Sequence, residues 1–117
     1  MDCIFCKIAN KEIPSKIIYE NEEIVAFEDI RPKAPLHLLI VPKKHIASID
    51  HLKSADKELI GDLILTAKKI AMEQGVSGAY KLVFNVGRKG GQIIDHIHLH
   101  LLAGWSDEKE RDIPGMP

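Results

Sequence analysis

The chain has 117 residues, the length of one ordinary domain. A domain of this size buries roughly two-thirds of the surface its unfolded chain exposes, so it needs no disulfide staples. Its 16 basic and 17 acidic residues are interspersed and nearly cancel, which argues against a DNA- or RNA-binding protein driven by phosphate neutralisation but not against a small nucleotide held at a local anion site.

Taken in chain order, Met1-Asp2-Cys3-Ile4-Phe5-Cys6-Lys7 lacks the basic-then-apolar pattern of a secretory signal. No apolar stretch reaches the length of a membrane span, so the cytoplasm is the expected compartment. Residues 3 to 10 are expected as a short helix, ended by Lys11-Glu12-Ile13-Pro14-Ser15. Residues 16 to 20 and 23 to 29 are expected as two strands, and the short Asn21-Glu22 link suits a hairpin without the favoured glycine. Ile30-Arg31-Pro32-Lys33-Ala34-Pro35 carries two prolines and is expected as a loop. Residues 36 to 41 form a third strand, stopped by Pro42.

The clearest helix is expected from about residue 55 to 74. Ser54 suits its N-cap, with Asp56 and Glu58 in the first turn. Leu59, Leu63, Ala67, Ile70 and Ala71 recur at helical spacing, and Gly75 suits the position just past the end. Residues 80 to 86 and 93 to 102 are expected as two more strands, joined by Gly87-Arg88-Lys89-Gly90-Gly91-Gln92. With no repeat or linker, residues 1–117 read as one α+β domain with a core of about 3 to 104 and a polar tail from 105 to 117. Its antiparallel sheet of about five strands carries one main helix and a short N-terminal one.

The last strand carries His96-Ile97-His98-Leu99-His100. Strand alternation puts the three histidines on one face, about 6.6 Å apart, and the aliphatics on the other. Imidazole is largely neutral near pH 7 and is a nucleophile toward phosphorus, so one displacement can be split into two through a covalent intermediate. A flanking imidazole can donate to phosphate oxygens that gain charge. Gly90-Gly91-Gln92 just upstream offers close backbone approach to an anion and an amide donor. An exposed histidine-rich face and a metal site built from the three histidines are the alternatives. Cys3 and Cys6, in a reducing compartment, suggest metal binding or redox chemistry more than a structural disulfide.

The chain resembles the histidine triad superfamily, most closely its nucleotide-binding branch. The resemblance is carried by His96-Ile97-His98-Leu99-His100-Leu101-Leu102, by Cys3-Ile4-Phe5-Cys6-Lys7-Ile8 and by Glu12-Ile13-Pro14-Ser15. Phe27-Glu28-Asp29-Ile30, Ala34-Pro35-Leu36-His37, Val41-Pro42-Lys43-Lys44-His45, Asn85 and Gly90-Gly91-Gln92 extend it in the same order. It implies a catalytic set of His37, His96, His98 and His100, in which His98 becomes nucleotidylated and His37 orders the cluster. His100, Asn85, Gly91 and Gln92 would contact the α-phosphate, and Asp29 the ribose hydroxyls. Phe5, Ile8, Ile13, Phe27 and Ile30 would hold the base.

The resemblance also implies a structural zinc on Cys3, Cys6, His45 and His96, as in many bacterial members, and a homodimer with the two sheets joined edge to edge. The implied activity is hydrolysis of purine nucleoside 5′-phosphoramidates or related monophosphate esters and anhydrides. A dinucleoside polyphosphate hydrolase, or a nucleotide-binding regulator of low turnover, is the alternative; a purely zinc-stabilised structural domain is a third class. One position departs: close relatives carry a serine, thought to assist the leaving group, where this chain has Ile93. The family's C-terminal segment is also poorly matched, with Trp105 and Ile113-Pro114-Gly115-Met116-Pro117 standing in that region.

Overall fold

The computed structural model describes residues 3–111; the segment Ile113-Pro114-Gly115-Met116-Pro117 lies outside them. Its elements in chain order are α1 (Ile4–Ala9), β1 (Ile17–Glu20), β2 (Ile24–Glu28), β3 (Leu36–Pro42), α2 (Lys57–Glu73), β4 (Tyr80–Val83) and β5 (Leu99–Ala103). The strands form one antiparallel sheet in the spatial order β1-β2-β3-β5-β4, as the α+β reading anticipates.

Alternation divides the sheet into two working faces. Ile24 and Ala26 of β2, Leu38 and Ile40 of β3, and Leu99, Leu101 and Ala103 of β5 pack under α2 against Leu63, Ala67, Ile70 and Ala71. The opposite face carries Val25, Phe27, Leu39 and Val41, which pack with Phe5, Ile8 and Ala9 of α1. Because α1 is only six residues long, it covers one end of that face and leaves the rest to a cavity.

The helix ends follow backbone chemistry. Beyond α2, Gly75 stands at φ +75°. Its N–H reaches the Met72 carbonyl at 3.1 Å and Val76 N–H reaches the Ala71 carbonyl at 2.9 Å, the paired bonds of a Schellman stop. At the other end the expected Ser54 cap is corrected. Residues Ser54–Asp56 form a 3₁₀ turn ahead of the helix. The buried Asp56 carboxylate accepts from Lys53 N–H at 2.9 Å and from Lys44 Nζ at 2.7 Å, so the acid organises this entry.

Two strands are shorter than expected. β4 stops at Val83, and β5 begins at Leu99, so His96 and His98 precede the strand. Residues before Leu99 bond instead to the segment after β3: Ile97 N–H donates to the Ile46 carbonyl at 2.7 Å, and the Gln92 amide to the Ala47 carbonyl at 2.6 Å. Among the described residues, no helix is long and apolar enough to cross a membrane.

Candidate active site and metal centre

Although β5 starts only at Leu99, the histidine rings follow one another along one side: Phe5 packs against both His96 and His98, and His98 against His100. His96 is wholly buried and turns toward the two cysteines. Its Nδ1 lies 3.3 Å from Cys3 Sγ, 3.5 Å from Cys6 Sγ and 3.2 Å from His45 Nδ1, and Cys6 Sγ lies 3.5 Å from His45 Nδ1. A tetrahedral ion of zinc's size needs sulfur–nitrogen edges of about 3.5 Å and nitrogen–nitrogen edges of about 3.3 Å. The four donors fit such an ion.

The surroundings prepare the donors. His96 Nε2 donates to the Pro42 carbonyl at 2.7 Å, which leaves Nδ1 unprotonated toward the cluster. Burial, and then the neighbouring Cys3, push the Cys6 thiol up to about 11, so a cation is what would favour its thiolate. Cys3 also caps α1, its sulfur accepting Cys6 N–H at 3.4 Å.

The cavity on the same side of the sheet encloses about 630 Å³. Phe5, Ile8, Phe27 and Ile30 give it apolar walls, and Asp29, His37, His98, His100, Asn85, Gly91 and Ile93 also line it. Ile13 does not: it packs into the second core beside α1. Gln92 does not either. It is buried, its Oε1 accepts Gly87 N–H at 2.9 Å, and its Nε2 donates to the Ala47 and Ile94 carbonyls at 2.6 and 2.9 Å. With its polar atoms so engaged, the amide braces the loop and does not point a donor into the cavity. Gly91 stands at φ +93°, and a Cβ there would lie 3.6 Å from the Asn85 side chain, so this stretch requires glycine.

Hydrogen bonds define the ring tautomers. His98 Nδ1 lies 2.8 Å from the His96 carbonyl, which only accepts; Nδ1 therefore carries the proton and Nε2 the lone pair. Lys33 N–H donates to His37 Nδ1 at 3.0 Å. His37 Nε2 is then the protonated nitrogen, and it donates to His100 Nδ1 at 2.9 Å. This leaves the hydrogen of His100 on Nε2, which is buried with no partner among the described residues. A buried donor facing a cavity invites an acceptor from a ligand.

The register explains the meeting of His37 and His100. Leu39 pairs with His100 and His37 with Leu102, so the two rings are diagonal neighbours on one face. Burial lowers the pKa of His37 and of His98, and it takes His100, with added repulsion from His98 and His37, down to about 4. All three rings are neutral near pH 7. The Phe5 ring packs edge-on against His98 with centroids 5.1 Å apart and against Phe27 at 5.4 Å.

A family model described as scavenger mRNA decapping enzyme C-term binding matches residues 2–112. A solved histidine triad protein from Clostridium difficile is 42% identical, with TM-score 0.87, over 92% of this chain and 94% of that one. The chain belongs to the histidine triad family. Among other relatives in the histidine triad family, a solved HIT family hydrolase from Legionella pneumophila is 53% identical, with TM-score 0.87, over 89% of this chain and 94% of that one. Protein HitA of Neisseria gonorrhoeae is 45% identical over 102 residues, covering 87% of this chain and 95% of that protein.

Of the residues the histidine triad resemblance singled out, the cavity gathers His37, His98, His100, Asp29, Phe5, Ile8, Phe27, Ile30, Asn85 and Gly91, while His96 joins the cysteines. Sequence reasoning missed the groups that orient the rings. Lys33 N–H and the carbonyls of Pro42 and His96 are backbone atoms, which no side-chain motif marks. Arg31, Lys33 and Ile94 also reach the cavity wall without a signal in the pattern.

Proposed function

We propose that this chain hydrolyses purine nucleoside 5′-phosphoramidates or related nucleoside monophosphate esters and anhydrides through a nucleotidyl intermediate on His98. The observation that carries the proposal is the single free lone pair on His98 Nε2, fixed by the Nδ1–H bond to the His96 carbonyl in a ring that lines the cavity. The description of the Legionella relative as a hydrolase is consistent with it.

His98 Nε2 attacks the α-phosphorus; the new phosphorus–nitrogen bond forms as the bond to the leaving group breaks, and the leaving amine takes from solvent the proton that the hydrolytic water later returns to it. The His96 carbonyl stabilises the positive charge that appears on the ring. His100 Nε2–H donates to a phosphate oxygen as charge builds there. Water then attacks phosphorus, the phosphorus–His98 bond breaks and its electron pair returns to Nε2, and nucleoside monophosphate leaves. Phe5, Ile8, Phe27 and Ile30 hold the base, and Asp29 accepts from the ribose hydroxyls.

Zinc on Cys3, Cys6, His45 and His96 would supply a structural crosslink, since four protein donors leave no position for water. The exposed β4 edge, where Leu82 stands partly open, is the edge proposed to join two sheets in a homodimer.

A low-turnover nucleotide-binding role is the second candidate, favoured by Ile93. This side chain is 77% exposed and lines the cavity, and it has no proton to give a departing amine. The deciding experiment compares steady-state hydrolysis of adenosine 5′-phosphoramidate with AMP affinity, in the native chain and in His98→Ala. The hydrolase proposal requires turnover in the native chain that His98→Ala abolishes while AMP still binds. Tight binding without turnover in the native chain would leave the regulatory role instead.

A further inference from the structure

Asp29, His37 and His100 contain more lone pairs than protons. Lys33 N–H occupies His37 Nδ1, so the hydrogen on His37 Nε2 goes to His100 Nδ1 at 2.9 Å, and Asp29 Oδ2 lies 3.5 Å from the same nitrogen. Asp29 Oδ1 already accepts Arg31 N–H at 2.9 Å, which directs Oδ2 toward the rings. Three ligand atoms thus gather at one place, within 4.8 Å of one another. All three residues line the cavity.

We propose that Asp29, His37 and His100 form a second metal site, which takes a divalent transition cation such as zinc in place of the proton between the two rings. Two imidazoles and a carboxylate are borderline donors suited to such a cation, and three protein ligands with an open position distinguish this site from the closed cysteine–histidine cluster. Bringing the two ring nitrogens from 2.9 Å to the roughly 3.3 Å of a zinc edge asks for a movement of a few tenths of an ångström. The balance is simple: the cation bonds to Asp29 Oδ2, His37 Nε2 and His100 Nδ1, and the proton on His37 Nε2 leaves to solvent. His100 keeps its Nε2–H. A cation here also engages the carboxylate assigned to the ribose, so it competes with nucleotide; this last consequence rests on the function proposed above.

The test is zinc stoichiometry by equilibrium dialysis on the full chain, for the native protein, Asp29→Asn and His37→Gln, each checked for folding by circular dichroism. The native chain should hold one equivalent more than either variant, with one proton released for that equivalent in calorimetry repeated across buffers. Equal stoichiometry in native chain and Asp29→Asn would overturn the site, and because Asp29 is partly exposed that variant does not depend on His37→Gln folding. Saturating AMP should reduce the extra equivalent to none. An extra equivalent that persists while AMP is shown separately to bind would overturn the competition, whereas failure of AMP to bind at all would count against the proposed function.

Discussion

The His37–His100 pair sets the electrostatics of the cavity residue by residue. His100 is held at about 4 in the folded chain, first by burial and then by its histidine neighbours, against about 6.5 unfolded. The native state therefore resists protonation. Its contribution to stability is complete above pH 6.5 and is lost as pH falls toward 4, amounting to at most about 3 kcal/mol. Urea unfolding at pH 7, 5.5 and 4.5 should show this decline, with a shallower pH slope in His100→Gln; equal slopes would contradict the assignment. Gln92 is the other decisive single residue. Removing its amide leaves the Gly87 N–H and the Ala47 and Ile94 carbonyls without their partner, so Gln92→Ala should cost about 1–3 kcal/mol in urea unfolding. A loss within a few tenths would mean the loop is braced in another way.

Gln92 shows where legibility ended at this scale. Next to two glycines it resembles an anion donor, and nothing local reveals that residue 47 lies above it. The place of His98 on the cavity was legible, because it follows from residue type and spacing. The choice of Nε2 over Nδ1 was not, because a backbone carbonyl makes it.

Among the elements, α1 joins the two sites. Cys3, its N-cap, and Cys6 sit in the cysteine–histidine cluster, while Phe5 and Ile8 of the same short helix wall the cavity. A six-residue helix is not stable by itself, so its tether and its packing must hold it together. Stripping the metal with a strong chelator should weaken AMP binding and speed amide hydrogen exchange in α1 while α2 stays protected. Unchanged exchange in α1 would show that packing alone holds it. At the end of α2, Gly75→Ala should cost about 1 kcal/mol through backbone conformation, since a Cβ there meets nothing within 4 Å; differential scanning calorimetry reads the effect.

Element existence was largely legible: α2 from its apolar spacing, β3 from a run ended by Pro42. The start of β5 was not. Ile97 is buried like a strand residue, so alternation continues through a stretch that bonds to the segment after β3 rather than to a neighbouring strand. Along it His96 meets the cysteines, while His98 and His100 line the cavity.

The whole molecule has one sheet with its helical core on one face and its chemistry on the other. The cysteine–histidine cluster lies beside the cavity, and the His96 carbonyl links them by holding His98. β1 and β4 are the two edge strands of the sheet. Sedimentation should give twice the chain mass if β4 pairs with its copy, and a proline placed at Leu82 should return the monomer mass; a native monomer would remove the dimer from the proposal.

The central claim is that His98 Nε2 bonds to phosphorus. The most direct measurement mixes the native chain with adenosine 5′-phosphoramidate, quenches within milliseconds without acid, and records the intact mass and then the peptide carrying residues 96–100. The mass of one adenosine monophosphate should appear on His98 and be absent from His98→Ala. Turnover with no adduct, or an adduct on another residue that survives His98→Ala, would contradict it.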